Sequence, residues 1–78
     1  MDEVTFEIVE HIGVLGETAA GWKRELNLVS WCGRPATYDI RQWAPGHNNY
    51  SRGITLKEHE LYRLEEIVAK FRKEKETR

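Results

Sequence analysis

The chain has 78 residues, with 12 Lys or Arg against 13 Asp or Glu, a formal net charge of −1 and one cysteine. A chain this short forms a single domain that buries about 60% of its extended surface, so its stability is marginal without further support. One cysteine excludes a disulfide framework, and the three scattered histidines lack the paired short spacings of a structural zinc site. Self-association is therefore the expected stabiliser.

The sequence predicts a protein without a membrane segment. No stretch approaches the roughly 18 consecutive apolar residues that indicate a membrane span. The acidic start MDEVTFEIVE resembles neither a signal peptide nor a basic transit peptide. We therefore expect a cytoplasmic protein.

The charges are distributed unevenly along the chain. Residues 1–20 hold five acids and no Lys or Arg, whereas residues 21–56 hold five basic residues against two acids. Those basic residues are Lys23, Arg24, Arg34, Arg41 and Arg52. Five of the eight aromatic residues lie in the same segment: Trp22, Trp31, Tyr38, Trp43 and Tyr50. Cations interleaved with rings are typical of sites for single-stranded nucleic acid.

Four strands are predicted ahead of a helix. Residues 4–14 mostly alternate apolar and polar side chains, the pattern of a half-buried strand. A loop of small residues precedes a second strand at 22–31. The turn sequence CGRP separates it from a third strand at 37–43, and the loop APGHNNYS leads to a fourth strand at 52–56.

Alternation along the third strand separates two faces. Tyr38, Ile40 and Gln42 are predicted to form the packing face. The opposite face carries Thr37, Asp39, Arg41 and Trp43. An arginine beside an exposed ring provides a cation for phosphate and a surface for a base. The alternative is a cation–π pair that covers a sheet edge, with Asp39 pairing Arg41, and alternation alone leaves both open.

Thr55 and Glu58 fit the capping-box pattern, which predicts a helix from about Leu56 to Lys73. Its apolar residues fall on one stripe: Leu61, Leu64, Ile67, Val68 and Phe71. Four strands followed by one amphipathic helix make an α+β domain over residues 1–73, with a frayed charged tail at 74–78. The sheet is too small to cover the whole stripe, and the surplus around Val68 and Phe71 fits a dimer.

Enzyme chemistry finds little support in the sequence, and a catalytic pair of Cys32 with a histidine is the weak alternative. No nucleophile lies in a recognisable elbow motif and no Gly-rich phosphate loop is present. Cys32, beside Gly33, is most simply a turn residue. We therefore expect no catalytic residues, no metal site and no cofactor.

The run VSWCGRPATYDIRQWAPGHNNYSRGITLKEHEL, residues 29–61, resembles the transcriptional positive cofactor four family. The family pattern has an aromatic residue at the end of one strand, a turn, and Asp-Ile-Arg followed closely by Trp. A variable loop and a basic residue before Gly-Ile-(Ser/Thr)-Leu complete it. These elements correspond to Trp31, residues 39–43 and residues 52–56. The run GWKRELN at 21–27 is similar to the bacterial YdbC-type branch of the family.

This resemblance implies a homodimer of strongly curved antiparallel sheets, with the C-terminal helices at the two-fold axis and unpaired DNA lying over the sheets. The stacking groups it implies are Trp31 and Trp43. The phosphate contacts are Arg41 and Arg52, with Lys23 and Arg24 as a basic edge of strand two and Arg34 as a weaker candidate. The dimer contacts are Leu64, Val68 and Phe71.

We therefore expect a sequence-nonspecific single-stranded DNA-binding protein, nucleoid-associated in the cytoplasm, that acts in transcription, replication or repair. One alternative is a protein-interaction module that docks on the transcription or repair machinery. Single-stranded RNA is a second alternative, because stacking surfaces read the faces of bases rather than the sugar.

Overall fold

A computed structural model of the chain describes residues 4–76. Four strands precede one helix, and a short 3-10 turn, Pro45–His47, lies between the last two strands. The elements are β1 (Phe6–Glu17), β2 (Lys23–Trp31), β3 (Thr37–Trp43), β4 (Tyr50–Leu56) and α1 (Glu58–Glu76). The predicted α+β order of four strands and a C-terminal helix is confirmed.

The strands form one antiparallel sheet in the order β1-β2-β3-β4. The turn between β2 and β3 is made by Cys32 at φ 52° and Gly33 at φ 74°, a left-handed backbone that glycine adopts without strain. The third predicted strand agrees with β3 at both ends. β1 ends at Glu17, three residues past its predicted end. Three register shifts interrupt the alternation of apolar and polar residues in β1, so the sequence pattern does not indicate where the strand ends.

The register shifts of β1 curve the sheet. Each bulge adds one unpaired residue to β1 and increases the local twist. Phe6 in β1 and Tyr50 in β4 lie on opposite edge strands, yet their ring centroids are 5.5 Å apart. In a flat sheet three strand spacings would separate them by roughly 14 Å. The sheet therefore curls into a trough, and its concave face holds the core.

The buried face is the one predicted to be open, so the predicted assignment of the packing face is wrong. Asp39 and Trp43 are 0% and 1% exposed on the concave face. Ile54, which pairs with Ile40 on the convex face, is 56% exposed. Alternation identifies which residues share a face, but the curvature decides which face is inside.

The helix begins later than predicted. The backbone N–H of Lys57 donates to the Glu60 carboxylate over 2.8 Å, which places the N-cap at Lys57. The predicted capping box at Thr55 and Glu58 is therefore wrong, because Thr55 is still in β4, opposite Asp39. Residues 74–76 of the predicted tail are helical, and residues 77–78 lie outside the described part.

Helix α1 lies largely free of the sheet. It has no buried residue, and its main contact with the sheet is to β3. The radius of gyration is 14.9 Å, against about 11.5 Å for a compact domain of this length. No helix in residues 4–76 has both the length and the apolar character needed to cross a membrane.

Candidate nucleic-acid interface

Four aromatic rings line the concave face. Phe6 lies 5.7, 5.1 and 5.5 Å, between ring centroids, from Trp31, Trp43 and Tyr50 respectively. Trp31 and Trp43 are nearly parallel, at 13° and 6.3 Å. Trp43 is buried, whereas Trp31 and Tyr50 are partly exposed. Trp43 is therefore the floor of this aromatic cluster, and Trp31 and Tyr50 present ring surface to solvent.

Arg41 is fixed beside these rings. Its Nε and Nη2 donate to the two carboxylate oxygens of Asp39 over 2.7 and 2.6 Å, and its Cζ lies 4.4 Å from the centroid of the Trp31 ring. Nη1 donates a third, longer bond of 3.3 Å to the carbonyl of Ser51. Both the ion pair and the cation–π contact that the sequence allowed are present. Two of the five guanidinium N–H groups remain for a ligand.

Asp39 supports the same arrangement from below. It is fully buried and also accepts a 3.3 Å hydrogen bond from the indole Nε1 of Trp31. The Asp39 carboxylate thus orients both the Arg41 guanidinium and the Trp31 ring over which that guanidinium lies. Because Asp39 compensates the charge of Arg41, further cations are needed for strong attraction to phosphate.

Gly53 explains how β4 approaches Arg41 so closely. It lies opposite Arg41 in the register of β3 and β4. A Cβ atom at Gly53 would clash with the carbonyl oxygen of Ile40 and with the Cβ of Arg41. A glycine inside a strand pattern often marks such an approach, which is the signal by which the sequence could have identified Gly53.

Trp31 and Arg41 line an open depression of ≈ 500 Å³, which we call the aromatic groove. Its lining residues combine rings, cations and hydroxyl groups. They are Val4, Trp31, Arg34, Pro35, Thr37, Arg41, Tyr50 and Thr55. Tyr50 was missed by the sequence interpretation, which assigned it to a loop rather than to the first position of β4.

A second depression of ≈ 450 Å³, the arginine groove, shares Arg41 with the first. Arg24 and Arg52 supply its cations, and Ile40, Arg41, Gln42, Ser51, Gly53 and Ile54 complete its lining. By alternation Arg24, Ile40 and Arg52 lie on the convex face, opposite the face on which the Arg41 guanidinium contacts Trp31. The structure therefore places Arg34 and Arg41 in the aromatic groove and Arg24 and Arg52 in the arginine groove, on the other face of the sheet.

Two of the predicted site residues, Lys23 and Trp43, line neither of these grooves. Lys23 and Arg24 are neighbours in β2, so their side chains point to opposite faces of the sheet. Lys23 pairs with Trp43 and lines a separate cleft near the β3–β4 loop. The faces of Trp43 contact Phe6, Trp31, Tyr50 and His47, and no solvent-exposed ring surface remains for a base to stack on in this conformation.

Comparison with known proteins agrees with this architecture. An uncharacterized protein of Treponema pallidum (strain Nichols) is 36% identical over 67 residues, which cover 86% of this chain and 79% of that protein. Residues 18–67 match the family model described as Transcriptional Coactivator p15 (PC4). This range contains β2, β3, β4 and the first half of α1, and so all seven predicted nucleic-acid contacts. The chain therefore belongs to the PC4 family, whose members are non-enzymatic proteins that bind nucleic acid.

Proposed function

We propose that this protein binds single-stranded DNA without strong sequence preference, in the cytoplasm, where transcription, replication or repair exposes unpaired strands. The observation that carries the proposal is the position of the Arg41 guanidinium, 4.4 Å from the centroid of the partly exposed Trp31 ring in the aromatic groove. A nucleotide needs a ring surface for its base and a cation for its phosphate, side by side. The aromatic groove supplies this pair of surfaces.

In this proposal Trp31 and Tyr50 stack on bases, because both rings are partly exposed at the aromatic groove. Arg34 and the two remaining N–H groups of Arg41 contact phosphates beside these rings, and Arg52 and Arg24 contact phosphates at the arginine groove. Every base has a face, so stacking tolerates any sequence. Duplex DNA hides those faces, and the protein should discriminate against it.

The proposal gives Trp43 a different role from the one the sequence suggested. Its ring lies beneath Trp31, nearly parallel to it, and is 1% exposed. Trp43 then positions Trp31 for stacking rather than contacting a base itself. Lys23, on the far side of Trp43, extends the cation path toward the β3–β4 loop.

We also propose that two copies associate through α1. Leu64, Val68 and Phe71 are exposed on one side of a helix that has no fully buried residue, and Phe71 is 62% exposed. A monomer rarely leaves a contiguous apolar stripe of this kind in water. Pairing of the two helices covers the stripe and supplies the stabilisation that a 78-residue chain needs.

Intrinsic tryptophan fluorescence tests the proposed function. Oligo-dT, a matched duplex and oligo-rU are each titrated into the protein at two salt concentrations. We expect quenching by oligo-dT because a base stacks on Trp31, weaker binding of the duplex, and affinity that falls as salt rises. Equal affinity for single and double strands at both salt concentrations would contradict the proposal. Tighter binding of oligo-rU would reassign the ligand to RNA.

A further inference from the structure

A third depression, of ≈ 510 Å³, contains residues that the proposed single-strand site does not use. It lies between β1, β2 and the β3–β4 loop, and we call it the histidine cleft. His11 and His47 line it, together with Lys23, Glu25 and Trp43. The remaining lining residues are Ile8, Val14, Gly21, Ala44, Pro45 and Gly46.

Glu25 lies at the base of the cleft and is 2% exposed. Its Oε1 accepts a 3.0 Å hydrogen bond from the amide of Asn27, and both of its oxygens lie 3.0 Å from Nε2 of His47. Nδ1 of His11 lies 3.4 Å from Oε1 and 2.7 Å from the side-chain oxygen of Asn27. Two imidazoles therefore converge on one buried carboxylate.

Glu25 is ionised in this environment. Burial by itself raises the pKa of Glu25, but hydrogen bonds from Asn27 and His47 and the charges of His47 and His11 outweigh it, so the pKa lies below its ordinary value. The carboxylate thus faces both imidazoles from the base of the cleft, and the two rings lie at its rim.

The hydrogen bonds also fix the orientation of each ring. The acceptor oxygen of Asn27 requires a proton on Nδ1 of His11, and the carboxylate of Glu25 requires one on Nε2 of His47. Nε2 of His11 and Nδ1 of His47 make no hydrogen bond within residues 4–76. The side chains of His11 and His47 are 52% and 42% exposed, so these nitrogens are accessible from solvent.

We propose that the outer nitrogens of His11 and His47, together with the ammonium of Lys23, form a phosphate-binding site. As a contact for nucleic acid the site rests on the proposed function, and it would hold one backbone phosphate of the bound strand. A protonated imidazole donates from its outer nitrogen, and charge-assisted bonds to phosphate are the strong ones. Among the described residues no three His, Cys, Asp or Glu side chains are arranged to hold a metal ion.

The site makes binding depend on pH. Imidazole is the side chain that ordinarily changes its charge between about pH 5 and about pH 8, and only the protonated ring donates from both nitrogens, so a phosphate site made of two imidazoles should bind more tightly in acid. The other charged residues that line the cleft are Lys23 and Glu25. Glu17 lies opposite Lys23 in β1, and Arg41, paired with Asp39, lies opposite Glu25 in β3. The β3–β4 loop adds no charged residue besides His47.

Imidazole NMR resonances test the site directly, with inorganic phosphate and oligo-dT as separate probes. The chain has three histidines, and His59 on exposed α1 serves as the internal control. We expect phosphate at about pH 6 to shift the His11 and His47 resonances and leave His59 in place. Shifts produced by oligo-dT but not by phosphate would still assign the site to a backbone phosphate. If neither inorganic phosphate nor oligo-dT shifts the His11 and His47 resonances, the inference is overturned.

A double variant connects the site to DNA binding. In the His11→Asn variant the side-chain amide can still donate a hydrogen bond to Asn27, and in the His47→Gln variant it can still donate one to Glu25. Neither amide can carry the positive charge that the outer nitrogen of a protonated imidazole presents to phosphate. His59→Gln is the matched control. We expect oligo-dT affinity of the parent to rise several-fold from about pH 8 to about pH 6, with a salt slope steeper by roughly 0.7, and the double variant to lose both effects. A rise that persists in the folded double variant would overturn the inference.

The outcomes for the two proposals are separable. If no nucleic acid binds at either pH but phosphate shifts His11 and His47, the proposed function fails and the phosphate site stands. If oligo-dT binds and its affinity is the same at both pH values, the proposed function stands and the histidine cleft is not part of the path of the strand.

Discussion

Gly53 lies directly opposite Arg41, and the two backbones approach too closely for any side chain at position 53. The close approach brings the carbonyl of Ser51 within 3.3 Å of the Arg41 guanidinium. The glycine thus holds β4 against Arg41, whose guanidinium lies beside the Trp31 ring.

Gly53→Ala should therefore impair both stability and binding. The added methyl group must push β4 away from β3, which we expect to cost about 1–3 kcal/mol of unfolding free energy, as other overpacked sites do. Thermal unfolding and oligo-dT titration measure the two effects. Gly13→Ala is the matched control, since a Cβ there meets no atom within 4 Å. Equal stability of the two variants would contradict the proposed steric role of Gly53.

Alanine substitutions of Trp31 and Trp43 should affect different properties, the first DNA binding and the second stability. Trp31→Ala removes a partly exposed ring from the aromatic groove, and we expect it to weaken oligo-dT binding by about 1–3 kcal/mol, the usual contribution of one stacked base. Because Asp39 keeps Arg41 as a partner, the variant should remain folded. Unchanged affinity in a folded Trp31→Ala protein would remove this ring from the site.

Trp43→Ala should act mainly on stability. The ring is the largest of the fully buried side chains, so its removal leaves a cavity that we expect to cost about 3–5 kcal/mol. Urea unfolding followed by circular dichroism reports the loss. A Trp43→Ala protein as stable as the parent, with weakened binding, would instead support the stacking role that the sequence suggested.

The sequence correctly predicted which residues share a face of β3, but it did not predict which of the two faces is buried. Alternation in β3 correctly grouped Asp39, Arg41 and Trp43, because every side chain two positions along a strand shares a face. It did not reveal that this face is the core. That depends on the bulges of β1 and on Phe6 reaching Tyr50 across the trough, and such long-range contacts leave no local pattern.

The roles of the candidate site residues stay predictions. Trp31, Arg34 and Arg41 line the aromatic groove, and Arg52 lines the arginine groove. Tyr50 was missed because the sequence around it reads as a loop. His11 and His47 lie 36 positions apart in the sequence, and their common contact with Glu25 exists only in the folded sheet.

Arg52 and Arg72 should differ in their effect on salt dependence. Arg52 is exposed in the arginine groove and forms no ion pair among the described residues, so Arg52→Ala should leave the fold intact. We expect the slope of log affinity against log salt for oligo-dT to fall by about 0.7, the value of one phosphate contact on a single strand. Arg72→Ala, on exposed α1, should leave the slope unchanged. Identical slopes for both variants would exclude Arg52 from the phosphate path.

The proposed dimer can be tested on the helix. Phe71→Asp or Val68→Asp places a charge in the apolar stripe, and we expect each to shift the protein from dimer to monomer in light scattering at micromolar concentration. Lys73→Asp is the control, because position 73 lies about 200° around the helix from Phe71. A parent chain that is a stable monomer, or a dimer insensitive to both substitutions, would contradict pairing through this stripe.

Glu25 predicts how stability depends on pH. Its pKa is lower in the folded chain than the ordinary carboxyl value, because hydrogen bonds from Asn27 and His47 and the nearby imidazole charges outweigh its burial. In acid the unfolded chain therefore binds more protons at this position, and unfolding becomes more favourable. The stabilisation from Glu25 is complete above the ordinary carboxyl pKa and is lost as the pH falls through the lowered value.

Glu25→Gln should remove this dependence. The amide keeps the shape of the side chain but carries no charge to attract His11 and His47, so we expect a lower melting temperature than the parent at neutral pH. The difference should narrow as the pH falls below about 4, because the parent carboxylate is then being protonated too. Glu66→Gln, at an exposed pair with Arg63, is the control and should follow the parent at every pH. A difference between Glu25→Gln and parent that stays constant from neutral to acid pH would show that Glu25 contributes through its shape and not through its charge.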